Sequence, residues 1–223
     1  MTNLNTYEIK NTNNQVIFSG KFNSFKECIE TAVARKINLE GANLQDAYLQ
    51  GAYLQDANLK GANLESAYLQ GAYLQDANLQ GADLQGAYLY KCNLQGANLQ
   101  DANLQGAYLQ DAYLQDAYLY KCKLKDAYLQ DANLQGAYLQ DANLQGADLR
   151  YVNLEGANLY KCNLQGAYLQ GAYLKDANLQ GADLRYVNLE GANLYKCNLQ
   201  DANLQGADLR YVNLQGAYLQ GVK

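Results

Sequence analysis

The side chains of this 223-residue chain that could do chemistry are tyrosines, aspartates, lysines and cysteines, and the groups that would activate them are missing. There is no histidine, and beyond residue 36 there is one serine, Ser66, and no threonine. The usual pairs of base and nucleophile therefore cannot be assembled. Five cysteines, Cys28, Cys92, Cys122, Cys162 and Cys197, stand at spacings that fit no zinc pattern. Glycines follow a strict five-residue register and make no phosphate loop. No enzyme, cofactor or metal site is expected. The 21 tyrosines instead point to contact chemistry, because a flat amphipathic ring suits an interface.

The element that positions these groups is a run from Leu39 to Leu219 in which leucine recurs at every fifth position, thirty-seven times without a slip. Two residues before each leucine stands Ala, or Cys at 92, 122, 162 and 197, or Val at 152, 187 and 212, with Ile37 at the start. Every other position is polar, Gly or Tyr. A helix would rotate successive leucines by 140° and scatter them, and a straight strand would alternate them between faces. A chain that turns the same corner after each unit keeps Leu and the small residue inward every time. The corner falls at the last position of the unit, often Gly, where a positive φ is expected.

Ahead of the run, residues 1–36 form a separate segment. Tyr7 to Lys10 and Gln15 to Ser19 read as two strands joined by a turn at Asn11-Thr12-Asn13-Asn14, with Gly20 ending the hairpin. Ser24 with Glu27 makes a capping box, and Phe25, Cys28, Ile29, Ala32 and Val33 recur on one helical face. That stripe needs a partner, so the segment is expected to cap the end of the repeat. Cys28 in the stripe needs no role beyond core packing.

Units such as Ala42-Asn43-Leu44-Gln45-Asp46 and Ala97-Asn98-Leu99-Gln100-Asp101 resemble those of the pentapeptide-repeat proteins, and the likeness covers residues 37 to 222. The resemblance implies an all-β solenoid, a right-handed quadrilateral β-helix with four units per coil. Thirty-seven units then make about nine coils, and stacking at roughly 4.8 Å gives a rod of about 45 Å. The domains expected are a hairpin-helix cap at 1–36 and the β-helix at 37–223.

A coil of twenty residues lets the surface be drawn from sequence alone. Tyr48, Tyr68, Tyr88, Tyr108 and Tyr128 form one column, broken by Asp148 and resumed at Tyr168, and the next face carries Tyr53, Tyr73, Tyr113 and Tyr173. The columns beginning Asn38, Asn58, Asn78, Asn98 and Asn43, Asn63, Asp83, Asn103 are amide-rich, which predicts a two-sided rod. The same arithmetic places Lys91 beside Asp111, Lys121 between Asp101 and Asp141, Lys161 beside Asp141 and Lys196 beside Asp176, as exposed ion pairs. The inward cysteines are never twenty residues apart. They should be free and buried, in keeping with a reducing compartment. Ala147 to Gln165 recurs letter for letter at Ala182 to Gln200, an offset of 35 that sets the copies on different faces.

Three functions are open at this point. The first is a structural scaffold or protein-interaction rod using the Tyr side, with a protein partner the sequence does not identify. Some pentapeptide-repeat proteins imitate duplex DNA and bind topoisomerases such as gyrase, which is the second. Residues 37–223 carry a net charge of −7, however, against about 26 charges on 45 Å of duplex. The third is glycan or polymer binding on the Tyr side. The acidic balance argues against direct nucleic-acid binding, and the absence of a long apolar stretch or an apolar leader makes a cytoplasmic protein the expectation, with no membrane partner. The run ends without a polar cap, leaving Leu214, Leu219 and Val222 to be covered by an end-to-end homodimer or to fray.

Overall fold

A computed structural model of the chain describes residues 4–223; Met1 to Asn3, part of the stretch read above for a leader, lie outside the described residues. Strands β1 (Asn5–Lys10) and β2 (Val16–Phe22) pair antiparallel, and helix α1 (Phe25–Ala34) follows. Asn14, at φ 63°, turns the hairpin, while the Asn11 side-chain oxygen accepts from the Asn13 and Gln15 N–H groups. β2 runs through Gly20 to Phe22 instead of stopping there, because Thr6 and Tyr7 continue to pair with Lys21 and Gly20. Ser24 caps α1 by accepting from Glu27 N–H, but the returning Glu27 carboxylate accepts from Asn23, one residue before the cap.

This segment is joined to the repeat by main-chain bonds. Thr12 N–H donates to Gly41 O, Asn43 N–H to Lys10 O and Ile37 N–H to Ala32 O. Lys26 Nζ donates to Gln50 O, and Glu30 accepts from Tyr53 N–H. Ile9, Cys28, Ile29 and Ala32 are buried in the same apolar cluster as Leu39 and the inward residues beyond it.

From Asn43 onward, parallel bridges join residues twenty apart, Asn43 to Asn63 through Asn198 to Tyr218, so four five-residue units complete one coil of a β-helix solenoid. The unit Ala97 to Asp101 shows why the sequence must do this. Asn98 N–H donates back one coil to Ala77 O, while Leu99 and Asp101 N–H donate forward to Tyr118 O and Tyr120 O. Ala102 N–H then closes a turn onto Leu99 O at 3.0 Å. The third residue of that turn has φ 59°, the signature of a type II turn. The same positive φ recurs at every fifth residue from Lys36 to Gly221, at Asp, Lys, Tyr and Ser as well as Gly. Inside, Leu and Ala of each coil are almost wholly buried from Leu39 to Ala202, apart from the half-buried Ala47. Each leucine so removed from water contributes about 1.5–3 kcal/mol before entropy is counted.

One N–H per unit has no backbone partner, and it explains the choice of Asn. Gln100 N–H donates to the Asn98 side-chain oxygen at 3.1 Å. The equivalent bond is made by every Asn and Asp at this position from Asn38 to Asn213. Such Asx turns satisfy the backbone locally. A tyrosine there cannot accept in this way. Among the described residues, Gln110 N–H, two after Tyr108, has no protein partner.

Candidate interaction surface

The tyrosines that replace Asn gain ring contacts in exchange for the lost turn bond. Tyr48, Tyr68, Tyr88, Tyr108 and Tyr128 stack in one continuous ladder, with centroids 4.7, 4.9, 5.0 and 5.1 Å apart and planes within 6° of parallel. Tyr53 and Tyr73 stack at 5.2 Å on the neighbouring face. Packing in the ladder pushes the Tyr68 phenol up, first through the charge of Tyr48 and then through desolvation and Tyr88. Asp148 ends the ladder, held by Gln130 Nε2 at 2.6 Å and by a two-pronged Arg150. Burial alone would raise the Asp148 carboxyl, but the Arg150 hydrogen bonds and charge outweigh it and leave the group below its ordinary value.

The two-sided picture needs correction on the face that begins with Asn38. Its column continues past Asn98 to Tyr118 and Tyr138, which stack at 5.1 Å, and ends in exposed Tyr218. The Lys–Asp pairs need correction too. Lys91, Lys121, Lys161 and Lys196 each lie over the ring of the preceding tyrosine, 4.8–5.1 Å from the centroid of Tyr90, Tyr120, Tyr160 and Tyr195, and none makes an ion pair among the described residues. A left-handed corner residue aims its side chain back over its neighbour, so the ring takes the ammonium and the aspartate one coil away acts only through space.

The ion pairs that do form lie elsewhere. Arg150 with Asp148, Arg185 with Asp183 and Arg210 with Asp208 close at 2.6–2.7 Å within Asp-Leu-Arg triplets, and Lys175 meets Glu155 at 2.8 Å. The first two pairs belong to the duplicated segment. Asp148 stands in the column of Tyr128 and Tyr168, Asp183 in that of Asn163 and Asn203, a quarter turn apart as the offset of 35 requires.

Four column tyrosines gain no stacked ring: Tyr218, which ends its column over Asn198, and three that lie within theirs. Tyr113 lies between Asn93 and Asn133, Tyr173 between Asn153 and Asn193, and Tyr168 between Asp148 and Asn188. They are 49%, 57% and 50% exposed. The tyrosine units also hold the unmet polar groups: the side-chain carbonyl oxygens of Gln70, Gln75, Gln115, Gln130 and Gln170, each two residues after a column tyrosine, are buried without a partner. Between Tyr113 and Tyr173 the surface dips into an open recess of about 470 Å³, floored by Asn133 and Asn153 and edged by Asp131, Tyr151 and Glu155. A second concavity of about 710 Å³ lies where Val33 and Ile37 meet Tyr53 and Asn58.

The five cysteines are free and buried. Cys122, Cys162 and Cys197 place Sγ 2.6–2.7 Å from a leucine carbonyl oxygen of the previous coil. Burial pushes the thiols of Cys92, Cys162 and Cys197 up to about 12. At the far end, Leu219 is 47% exposed and Leu209 is also open to solvent, while Leu214 and Val222 are half-buried. The N–H groups of Leu209, Tyr211, Leu214, Gly216, Leu219 and Gly221, whose counterparts in earlier coils donate forward, have no backbone acceptor among the described residues. Among the described residues no group of three or more metal-ligating side chains converges, and no helix is long and apolar enough to cross a membrane.

The family model for pentapeptide repeats matches this chain over residues 32–61, 57–96, 67–106, 97–136, 127–166, 162–201 and 188–223. Among solved structures, the chain is similar to HetL, described as a pentapeptide repeat protein involved in heterocyst differentiation regulation from the cyanobacterium Nostoc sp. strain PCC 7120. The two share 35% identity, covering 76% of this chain and 88% of HetL, with a TM-score of 0.39. Full-length QnrB1, described as a plasmid-mediated fluoroquinolone resistance protein, is 18% identical, covers 69% of this chain with 84% of its own, and superposes with a TM-score of 0.55. That likeness shows the shared fold. A comparison with curated proteins finds no match.

Proposed function

Because this chain belongs to the pentapeptide repeat family, we propose that it is a non-enzymatic scaffold that binds a protein partner along its tyrosine faces. One observation carries this reading. Every column tyrosine forgoes the turn bond that Asn makes in the same place, several leave a buried glutamine carbonyl unpaired, and the ladder presents a continuous edge to solvent, half-buried at Tyr68, Tyr88 and Tyr108 and most open at Tyr48, 68% exposed. Ring stacking returns only part of what is given up, and sites that break a local rule in this way are where contact with something else is expected. In this reading residues 1–36 close one end of a right-handed rod of about nine coils, and the free thiols fit a reducing compartment. The test replaces Tyr48, Tyr68, Tyr88 and Tyr108 by Asn, the residue most common at that position, so the backbone keeps its turns. A partner retained by the wild-type protein and lost from this variant supports the proposal. Equal recovery with both proteins refutes it.

The far end supports a second proposal, that two copies meet through the coil bearing Leu209, Leu214, Leu219 and Val222. Half-covered leucines beside a row of unpaired N–H donors form an edge that a two-fold partner would satisfy. Sedimentation should give a dimer, and a monomer at high concentration would refute it. The topoisomerase reading is weakened by the modest net charge of −7 on residues 37–223, to which Asp148, Asp183, Asp208, Glu155 and Glu190, each paired with a base, add little exposed negative charge. A supercoiling assay with gyrase, expected to show no inhibition, tests it.

A further inference from the structure

We propose that the recess between Tyr113 and Tyr173 is a binding site for a neutral carbohydrate. The two rings stand in one column three coils apart, roughly 14 Å at the coil spacing. Allowing for ring thickness, that gap is long enough for about two sugar rings in a row. Neither tyrosine stacks on another ring among the described residues, so their faces are free for the apolar CH surface of a sugar. A third ring, Tyr151, lines one edge. It is seated on Gly171, where a methyl group would lie 2.7 Å from its Cδ1 and Cε1.

The floor decides the ligand class. Asn133 and Asn153 each spend their side-chain oxygen on the turn N–H of Gln135 and Glu155, at 3.1 and 3.0 Å. That bond fixes the amide orientation, and neither Nδ2 makes a hydrogen bond among the described residues. Elsewhere the stacked pairs Asn143–Asn163, Asn158–Asn178 and Asn193–Asn213 use this group on each other. The recess thus presents two pre-oriented amide donors. Beside them are the acceptors of Asp131, which has no ion pair among the described residues, and of Glu155, held by Lys175 Nζ at 2.8 Å. Donors and acceptors together, between aromatic walls, match hydroxyl groups that both accept and donate. A guanidinium or ammonium would satisfy the carboxylates but has no acceptor for the two amides.

The experiment is a calorimetric titration of the full chain with cellotetraose, chitotetraose and maltotetraose, each to about 10 mM, which resolves dissociation constants of about 1 mM and below. Saturable binding of at least one is expected. The Tyr113→Asn/Tyr173→Asn variant should fold with an unchanged or higher melting temperature and bind that sugar roughly tenfold more weakly for each ring lost. A Tyr186→Ala variant, which removes the ring seated on Gly206 outside the recess, should bind like wild type. No saturable binding of any of the three sugars overturns the proposal. So does binding that survives in the Tyr113→Asn/Tyr173→Asn variant, or capture of an arginine-rich peptide at the recess while all three sugars fail.

Discussion

Two corner glycines separate the cost of backbone strain from the cost of displacing a side chain. Gly61 has φ +61° and open space where a Cβ would stand, whereas Gly171 has φ +64° and Tyr151 across it at 2.7 Å. Gly61→Ala therefore reports the left-handed backbone alone, about 1–2 kcal/mol for a residue with a Cβ. In a chain of this size that lowers the melting temperature by about 2–8 °C. Gly171→Ala bears the same backbone cost and must also push the Tyr151 ring away by roughly 1 Å to restore ordinary contact. This adds about 1 kcal/mol, at the low end for overpacking because the ring is exposed and can move. Removing the ring tests the assignment: in a Tyr151→Ala background, Gly171→Ala should cost no more than Gly61→Ala. Thermal and urea unfolding of the four proteins of this cycle, followed by circular dichroism, would give a coupling of about 1 kcal/mol between positions 151 and 171. A coupling of zero refutes the seating of the ring, and a neutral Gly61→Ala refutes the account of the corner itself.

Asn98→Ala removes the part-buried bond to Gln100 N–H and should destabilise the chain by about 1 kcal/mol; Tyr108→Ala, where no such bond exists, isolates the stacking contribution in the same assay. The thiols should stay silent to iodoacetamide at pH 8 in the folded protein and all five should react in denaturant, because burial raises them and the charges of Asp141 and Asp176 disfavour the thiolates of Cys162 and Cys197 further. Stoichiometric labelling of the native chain would contradict this. Asp148 and Asp183 have folded-state pKa values below their unfolded ones, so the stability they add is present above the ordinary carboxylate pKa and is lost as pH falls through the folded values. Acid titration of Arg150→Gln/Arg185→Gln should show a smaller loss of stability below pH about 4 than wild type, and an identical acid profile would exclude these pairs as the cause.

The features legible in the sequence are those the backbone enforces by repetition. A leucine every fifth residue requires one corner per unit, and the twenty-residue coil places Tyr48 over Tyr68 and Asp148 over Tyr168 from sequence spacing alone. Side-chain choices within a unit were harder to read. Lys91 has an aspartate one coil away and a tyrosine beside it, and only the left-handed corner decides in favour of the ring. The Asx bond carried a visible signal, Asn or Asp three residues before a corner, but its meaning depends on knowing which N–H the coil leaves unpaired. Tyr118 and Tyr138 interrupt a column whose first four members are Asn, because the backbone accepts either side chain at that position. The recess could not be read from Tyr113 and Tyr173 as members of a Tyr column, since it comes from the small residues between them and from Tyr151 leaning over the corner.

The turn that closes each unit is indifferent to which face it closes, and this gives the chain a phase. Adding or deleting one five-residue unit leaves every leucine inward and every coil bonded, yet it advances all later residues by a quarter revolution relative to all earlier ones. Only changes in multiples of four units keep the two halves in step. The 35-residue duplication, seven units long, left its copies a quarter turn out of phase, so identical segments now display their Asp–Arg pairs in different directions. Insertion of one unit between Tyr128 and Asn133 would carry Tyr173 off the column of Tyr113 without touching either residue or the core. In such a rod an address on the surface is fixed by a count of units modulo four as much as by the residue that stands there.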